Sequence, residues 1–159
     1  MFLQYKYILA MTAQNSHSQR SIYLADDDQD DRSMFVEALL EIDSNVIVTQ
    51  AQDGEQLMDI LNAQPDPLPE IIFLDINMPK MDGFACLEEI KRDTKLKKLY
   101  VVMLSTSNDQ ENIDKAYNLG AALYAVKPNS FQGLKSLIKN VLQKDLDSLK
   151  QSNKTYKFI

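Results

Sequence analysis

A doubly wound α/β fold, (βα)5 with a parallel five-stranded sheet, is predicted by three features of this 159-residue chain. Short apolar runs alternate five times with segments whose apolar residues recur at helical spacing. The third and fourth runs, IIFLD and YVVML, are apolar almost throughout, as strands buried on both faces must be. Turn-forming stretches, chiefly QPDPLPE and INMPKMDG, separate the periodic segments.

The elements follow in order. Ser21–Ala25 is the first strand. Asp31–Ile42 is a helix, with Phe35, Ala38, Leu39 and Ile42 at its spacing. Val46–Ala51 is β-branched but polar at its end, which suits a sheet edge. Glu55–Ala63 carries Leu57, Ile60 and Leu61 on a helical face. The three prolines of Gln64–Glu70 break both helix and strand. Ile71–Asp75 is the third strand, and Asp82-Gly83 is the turn that lets the third helix, Phe84–Arg92, begin. Tyr100–Leu104 is the fourth strand. Asp109–Leu119 is a helix with Ile113, Ala116 and Tyr117 facing inward, and Gly120 is placed for a left-handed C-cap. Ala122–Val126 is the fifth strand. Phe131 to about Leu146 is the last helix, striped by Leu134, Leu137, Ile138, Val141 and Leu142.

Composition narrows the chemistry. Hydrophobic residues make up 45% and charged residues 25%, ordinary globular usage, and the formal net charge is −6. That balance argues against non-specific binding to nucleic acid or an anionic membrane. The one cysteine, Cys86, excludes an internal disulfide framework and a cysteine zinc site, and fits a packing role in a reducing cytoplasm. No apolar run approaches the ~20 residues of a membrane span, and MFLQYKYILAM is too short in its apolar part for a signal peptide. A cytoplasmic location is expected. Residues 1–20 read as a polar, disordered leader, with Met11 an alternative start. Residues 21–146 read as one domain and 147–159 as a tail. The one histidine, His17, falls in the leader, so no catalytic histidine is expected in the domain.

Open parallel sheets bind at the carboxyl ends of their strands. That rule gathers Asp26, Asp27 and Asp28 behind the first strand, Asp75 at the end of the third, Ser105 behind the fourth and Lys127 behind the fifth. Carboxylates crowded at one edge repel one another unless a cation screens them. All-oxygen donors favour Mg²⁺, Mn²⁺ or Ca²⁺ over zinc, and Mg²⁺ readily shares its site with a phosphoryl oxygen. A lysine and a hydroxyl can serve the remaining phosphoryl oxygens. An aspartate so placed is a competent phosphoryl nucleophile, so the edge reads as a phosphoaspartate site.

The motifs YLADDD, IIFLDINMPKMDG, VVMLSTS and ALYAVKP, in this order on these strand ends, resemble the receiver domain of two-component response regulators, and the resemblance covers about Ser21 to Gln143. It implies a flavodoxin-like strand order of 2-1-3-4-5. It implies that Asp75 is the phosphoacceptor, supplied by a sensor histidine kinase, a histidine phosphotransfer protein or a small phosphodonor. Asp27 would ligate Mg²⁺ (or Mn²⁺) directly, Asp26 mainly through water, and Asp75 and the backbone carbonyl of Asn77 would complete the set. Lys127 and Ser105 would bind the phosphoryl group, and Tyr124 would turn inward when Ser105 moves. Asn77 and Ser107 would tune the lifetime of the phosphoryl group. The bond from Lys127 to Pro128 is often cis in this family. The readout would be a changed surface of the fourth helix, fifth strand and fifth helix, offered to a downstream protein. The residues after the last helix are too few for a DNA-binding or catalytic domain, so a stand-alone receiver is expected. The end, NKTYKFI, leaves disorder, packing on the last helix or homodimer contact open.

Four other readings compete. Asp26, Asp28, Asp30 and Glu37 match positions of a calcium-binding EF-hand loop, but Asp31 stands where that loop needs glycine, and a helix pattern runs through it. A haloacid-dehalogenase-type phosphatase needs a second aspartate two positions after the nucleophile, where this chain has Asn77. A degenerate receiver would bind a partner without phosphorylation, but the acceptor, acidic, hydroxyl and lysine residues are all present. A solvated acidic loop accounts for Asp28, Asp30 and Asp31, of which Asp30 and Asp31 also suit a helix N-terminus.

Overall fold

The computed structural model describes residues 19–147. Residues 1–18 of the expected leader, with His17, and the NKTYKFI end lie outside the described residues, but the leader ends before Arg20, whose guanidinium pairs with Glu70 at 2.6 Å and whose carbonyl accepts the Ile47 N–H at 2.8 Å. Five strands and five helices alternate: β1 Ser21–Ala25, α1 Gln29–Ile42, β2 Ile47–Ala51, α2 Gly54–Asn62, β3 Ile71–Asp75, α3 Gly83–Arg92, β4 Tyr100–Ser105, α4 Gln110–Asn118, β5 Leu123–Val126 and α5 Phe131–Leu142. All neighbouring strands are parallel, in the order β2-β1-β3-β4-β5. The expected order holds, with β2 at an edge and its first four residues at least partly exposed. Among the described residues no helix is long and apolar enough to cross a membrane.

Strand alternation divides the core and, with it, the site. Ile22, Leu24, Ile71, Phe73, Leu123 and Ala125 face α1 and α5 and pack with Phe35, Leu39, Ile138 and Val141. Tyr23, Ile72, Leu74, Met103 and Tyr124 face the other layer, where Leu57, Leu61, Leu87, Ile90 and Ala116 meet them. Period-two alternation carries Asp26, Asp75 and Lys127 to the α1/α5 side and leaves Ser105 in phase with Met103 on the other. The sequence therefore sorts an ionic cluster onto one face and a hydroxyl pair, Ser105 and Tyr124, onto the opposite one.

Helix starts are set by acidic caps. Asp28, Asp53, Asp82 and Asp109 accept backbone N–H groups at the starts of α1, α2, α3 and α4, and Ser130 does so for α5. Asp28 takes two, from Asp30 at 2.8 Å and Asp31 at 3.0 Å. Helix α1 thus begins before the first residue that periodicity marked, because its opening turn is polar and carries no apolar signal. This cap and helix also dispose of the EF-hand reading, which needs Asp28 and Asp30 in a loop. Asp28→Ala is expected to cost about 1 kcal/mol, seen as a lower urea midpoint with an unchanged slope.

Other features differ from expectation, beyond shifts of one residue at the ends of β2, α2, α3, β4, α4 and β5. Tyr117 does not face inward: it is 43% exposed, and Ile113 and Ala116 alone fill the helical spacing toward the sheet. Helix α5 stops at Leu142, where the Lys144 N–H turns back to the Val141 carbonyl at 3.1 Å. Leu146 still packs into the core from beyond the helix end. The Lys127–Pro128 bond is trans, and among the described residues the cis bond is Asp66–Pro67. Gly120 has φ 92°, as the left-handed C-cap requires.

Candidate functional site

The three strand ends are held in register by ladder bonds that continue past the strands. Asp26 N–H donates to the Ala51 carbonyl at 3.1 Å, Ile76 N–H to Leu104 at 3.0 Å, and Lys127 N–H to Ser105 at 2.7 Å. Behind β3, the chain turns back so closely that a Cβ on Gly83 would lie 2.3 Å from the Asp75 carbonyl oxygen. The Gly83 N–H donates to the Ile76 carbonyl at 2.8 Å. Glycine is required there by close approach, and its predecessor Asp82 caps α3 through the Ala85 N–H at 2.8 Å. The Asp82-Gly83 turn is structural, as expected.

At this edge the Lys127 ammonium meets three carboxylates: Asp26 at 2.7 Å, Asp31 at 3.2 Å and Asp75 at 3.3 Å. Asp26 and Asp75 are buried, at 3% and 5% exposure. Burial opposes the charge of Lys127, but the hydrogen bond to Asp26 and the nearby Asp75 charge outweigh it and raise its pKa above the ordinary lysine value. Burial, helped by the Asp26 charge, pushes the Asp75 carboxyl up to about 6. Lys127 and the Asn77 N–H pull the other way without cancelling it. Asp26 is fixed further by the Asp28 N–H on its carboxylate at 3.0 Å and by Arg32 on its backbone carbonyl at 2.7 Å.

Asp26, Asp27 and Asp75 each present a carboxylate oxygen, all within 4.8 Å of one another, and Asp27 is exposed. A mouth open to solvent with two buried acids behind it can admit a hydrated cation. The Asn77 side chain points away from the core, exposed, while its N–H serves Asp75.

The hydroxyl pair is linked through one residue. Ser105 is buried, and its Oγ accepts the Ser107 N–H at 3.1 Å. The Ser107 carbonyl accepts the Tyr124 hydroxyl at 2.8 Å. Tyr124 is fully buried, so its ring occupies the inward position. Met78 is buried and Met81 packs against the same cluster, as expected of packing residues. Burial also pushes the Cys86 thiol up to about 12, consistent with the expected packing role.

Two ionic contacts lie beyond the expected site residues, Asp31 with Lys127 and Asp53 with Lys80. Asp31, expected in a solvated loop or at the helix start, reaches Lys127 at 3.2 Å. The signal was there: a helix that begins directly behind β1 must bring its first turn to the strand-end site. Asp53, 4% exposed, caps α2 and pairs with Lys80 at 3.2 Å, tying the β2–α2 loop to the loop that follows Asp75. The Asp53-Gly54 pair ahead of α2, like Asp82-Gly83 ahead of α3, is a signal that could have found this cap, but nothing in the sequence points to Lys80 as its partner.

Known proteins carry the same organisation. Rcp1 of Synechocystis sp. is 31% identical over 132 residues, spanning 79% of this chain and 88% of that protein. A probable chemotaxis protein CheY of Rhizobium etli is 32% identical over 120 residues, spanning 76% and 90%. Among solved structures, the phosphorylated cyanobacterial phytochrome response regulator RcpA is 30% identical and covers 87% of this chain and 98% of its own, with a TM-score of 0.72. The Mn²⁺-bound form of Rcp1 is 27% identical with a TM-score of 0.69, covering 87% and 99%. The family model of the response regulator receiver domain matches residues 22–139. With that match, on a sheet of this order and an acidic edge of this composition, the chain belongs to the response regulator receiver domain family.

Proposed function

We propose that this chain is a phosphoryl-accepting switch that takes a phosphoryl group onto Asp75 from a histidine kinase or a histidine phosphotransfer protein. The observation that carries the reading is Lys127, whose ammonium bridges the buried carboxylates of Asp26 and Asp75. A cation is thus already placed where a phosphoryl group on Asp75 would carry its charge. An Asp75 oxygen forms the new bond to phosphorus as the bond from phosphorus to the donor nitrogen breaks, and that electron pair leaves with the imidazole. For acetyl phosphate the leaving group is acetate.

The donor set fits Mg²⁺ or Mn²⁺: three carboxylates within 4.8 Å, no sulfur or nitrogen donor, and an exposed member to keep water in the shell. Asp27, Asp75 and the Asn77 carbonyl would hold the ion, with Asp26 acting mainly through water. When bound, the ion would screen the charge of nucleophile and phosphoryl group together. The known Mn²⁺-bound form of Rcp1 supports this assignment.

Lys127 and Ser105 then hold the phosphoryl oxygens. Movement of Ser105 toward them pulls on the Ser107 N–H, and the Ser107 carbonyl anchors the Tyr124 hydroxyl. The same peptide segment therefore links phosphoryl capture to the aromatic position. Small polar groups at Asn77 and Ser107 leave room for water and for self-catalysed dephosphorylation. The exposed side of α4, β5 and α5 is the surface offered to a downstream protein. Incubation with acetyl phosphate and Mg²⁺ should add one labile phosphoryl group to the intact mass, and EDTA should prevent it. An unchanged mass, with no response of the amide spectrum to beryllofluoride, would leave a phosphorylation-independent binding module as the reading.

A further inference from the structure

We propose that Asp31 is a competing counter-ion for Lys127, one that restrains the lysine before phosphoryl transfer and weakens its hold on the phosphoryl group. The inference rests on the phosphoacceptor reading of Asp75. An ammonium has three N–H donors, and here three carboxylates surround it: Asp26 at 2.7 Å, Asp31 at 3.2 Å and Asp75 at 3.3 Å. Its hydrogen bonds go to Asp26 and Asp31, so a phosphoryl oxygen that takes over the Asp75 contact must share the lysine with both. Asp26 is poorly suited to yield. It is buried, makes the shortest contact, and its other oxygen already accepts the Asp28 N–H.

Asp31 is the member that can yield. Its side chain is 44% exposed, so water replaces the lysine at little cost. It also sits in the first turn of α1, where the helix N-terminus favours its charge whether or not Lys127 is bound. Its negative charge sits 3.2 Å from the ammonium that would receive the phosphoryl oxygen and opposes an arriving dianion. Both effects have one sign: Asp31 weakens phosphoryl capture and keeps the lysine parked until a donor arrives. Asp30 is the natural control. It carries the same charge in the same helical turn, and no ion pair joins it to Lys127.

The test is a beryllofluoride titration in Mg²⁺, followed by amide NMR, of the wild-type chain, Asp31→Asn and Asp30→Asn. Asp31→Asn should bind about two- to fivefold more tightly than wild type, the range that a half-exposed ion pair commands. Asp30→Asn should stay near wild type. A second readout needs neither metal nor ligand: the Lys127 ammonium resonance should shift in Asp31→Asn and hold still in Asp30→Asn. Equal or weaker binding in Asp31→Asn overturns the inference, as does an equal gain in Asp30→Asn, which would indicate bulk charge. Failure of the wild-type chain to bind beryllofluoride overturns the phosphoacceptor reading and this inference with it. Normal wild-type binding beside an unresponsive Asp31→Asn overturns this inference alone.

Discussion

Asp75→Asn is expected to abolish the phosphoryl gain from acetyl phosphate and, in the same molecule, to stabilise the metal-free fold at neutral pH. The first effect is the loss of the nucleophilic oxygen. The second follows from the electrostatics of the edge. Burial and the Asp26 charge push the Asp75 carboxyl up to about 6, against roughly 4 in an unfolded chain. The fold therefore prefers the protonated acid. Its contribution to stability is complete below about pH 4 and is lost as pH rises through about 6. At pH 7.5 the ionised acid is a net burden, offset only in part by Lys127. A shift of this size corresponds to at most about 3 kcal/mol. Asparagine keeps the shape without the charge, and Lys127 retains Asp26 and Asp31. Urea unfolding in EDTA should show the variant ahead at pH 7.5 and level with wild type near pH 4. A variant less stable than wild type at pH 7.5 would contradict the assignment.

The fold was legible because its strands advertise themselves. IIFLD and YVVML are buried through nearly every residue, and only a sheet covered on both faces makes such runs stable. Strand ends were equally legible, so Asp26, Asp75, Ser105 and Lys127 could be placed on one edge from the chain order alone. Polar helix starts were not. Hydrophobic periodicity is silent over Gln29–Asp31, and the cap at Asp28 is a property of backbone donors, which any short acidic run disguises. Side-chain partners across the sheet were also hidden. Asp31 and Lys127 are separated by 96 residues, and Asp53 finds Lys80 only because two loops meet at the carboxyl edge. Tyr117 shows the opposite failure: helical spacing placed it inward, but the sheet beneath α4 is covered by Ile113 and Ala116, and the bulkier ring is left outside.

Lys127→Met separates the two duties of the lysine. In wild type its ammonium offsets the charges of Asp26 and Asp75, whose side chains are 4% and 7% exposed. Removing one partner of a buried ionic group costs about 3–5 kcal/mol when the other charge has no escape. Here there is one escape, since Asp75 can take up a proton, so the expected cost in EDTA at pH 7.5 is about 2–4 kcal/mol. Loss of the cation raises the folded-state pKa of Asp75 still further. The variant should therefore regain stability as pH falls, with most of the deficit gone near pH 5. Mg²⁺ should stabilise the variant more than it stabilises wild type, because a site stripped of its ammonium holds a divalent cation more tightly. Phosphoryl capture has no such substitute. At an Mg²⁺ concentration that restores the melting temperature, acetyl phosphate should still phosphorylate the variant at least about tenfold more slowly, a barrier increase of roughly 1.4 kcal/mol. Parallel recovery of stability and phosphorylation in Mg²⁺ would reduce Lys127 to a structural counter-ion. Recovery of stability alone would leave it as the group that receives the phosphoryl oxygen.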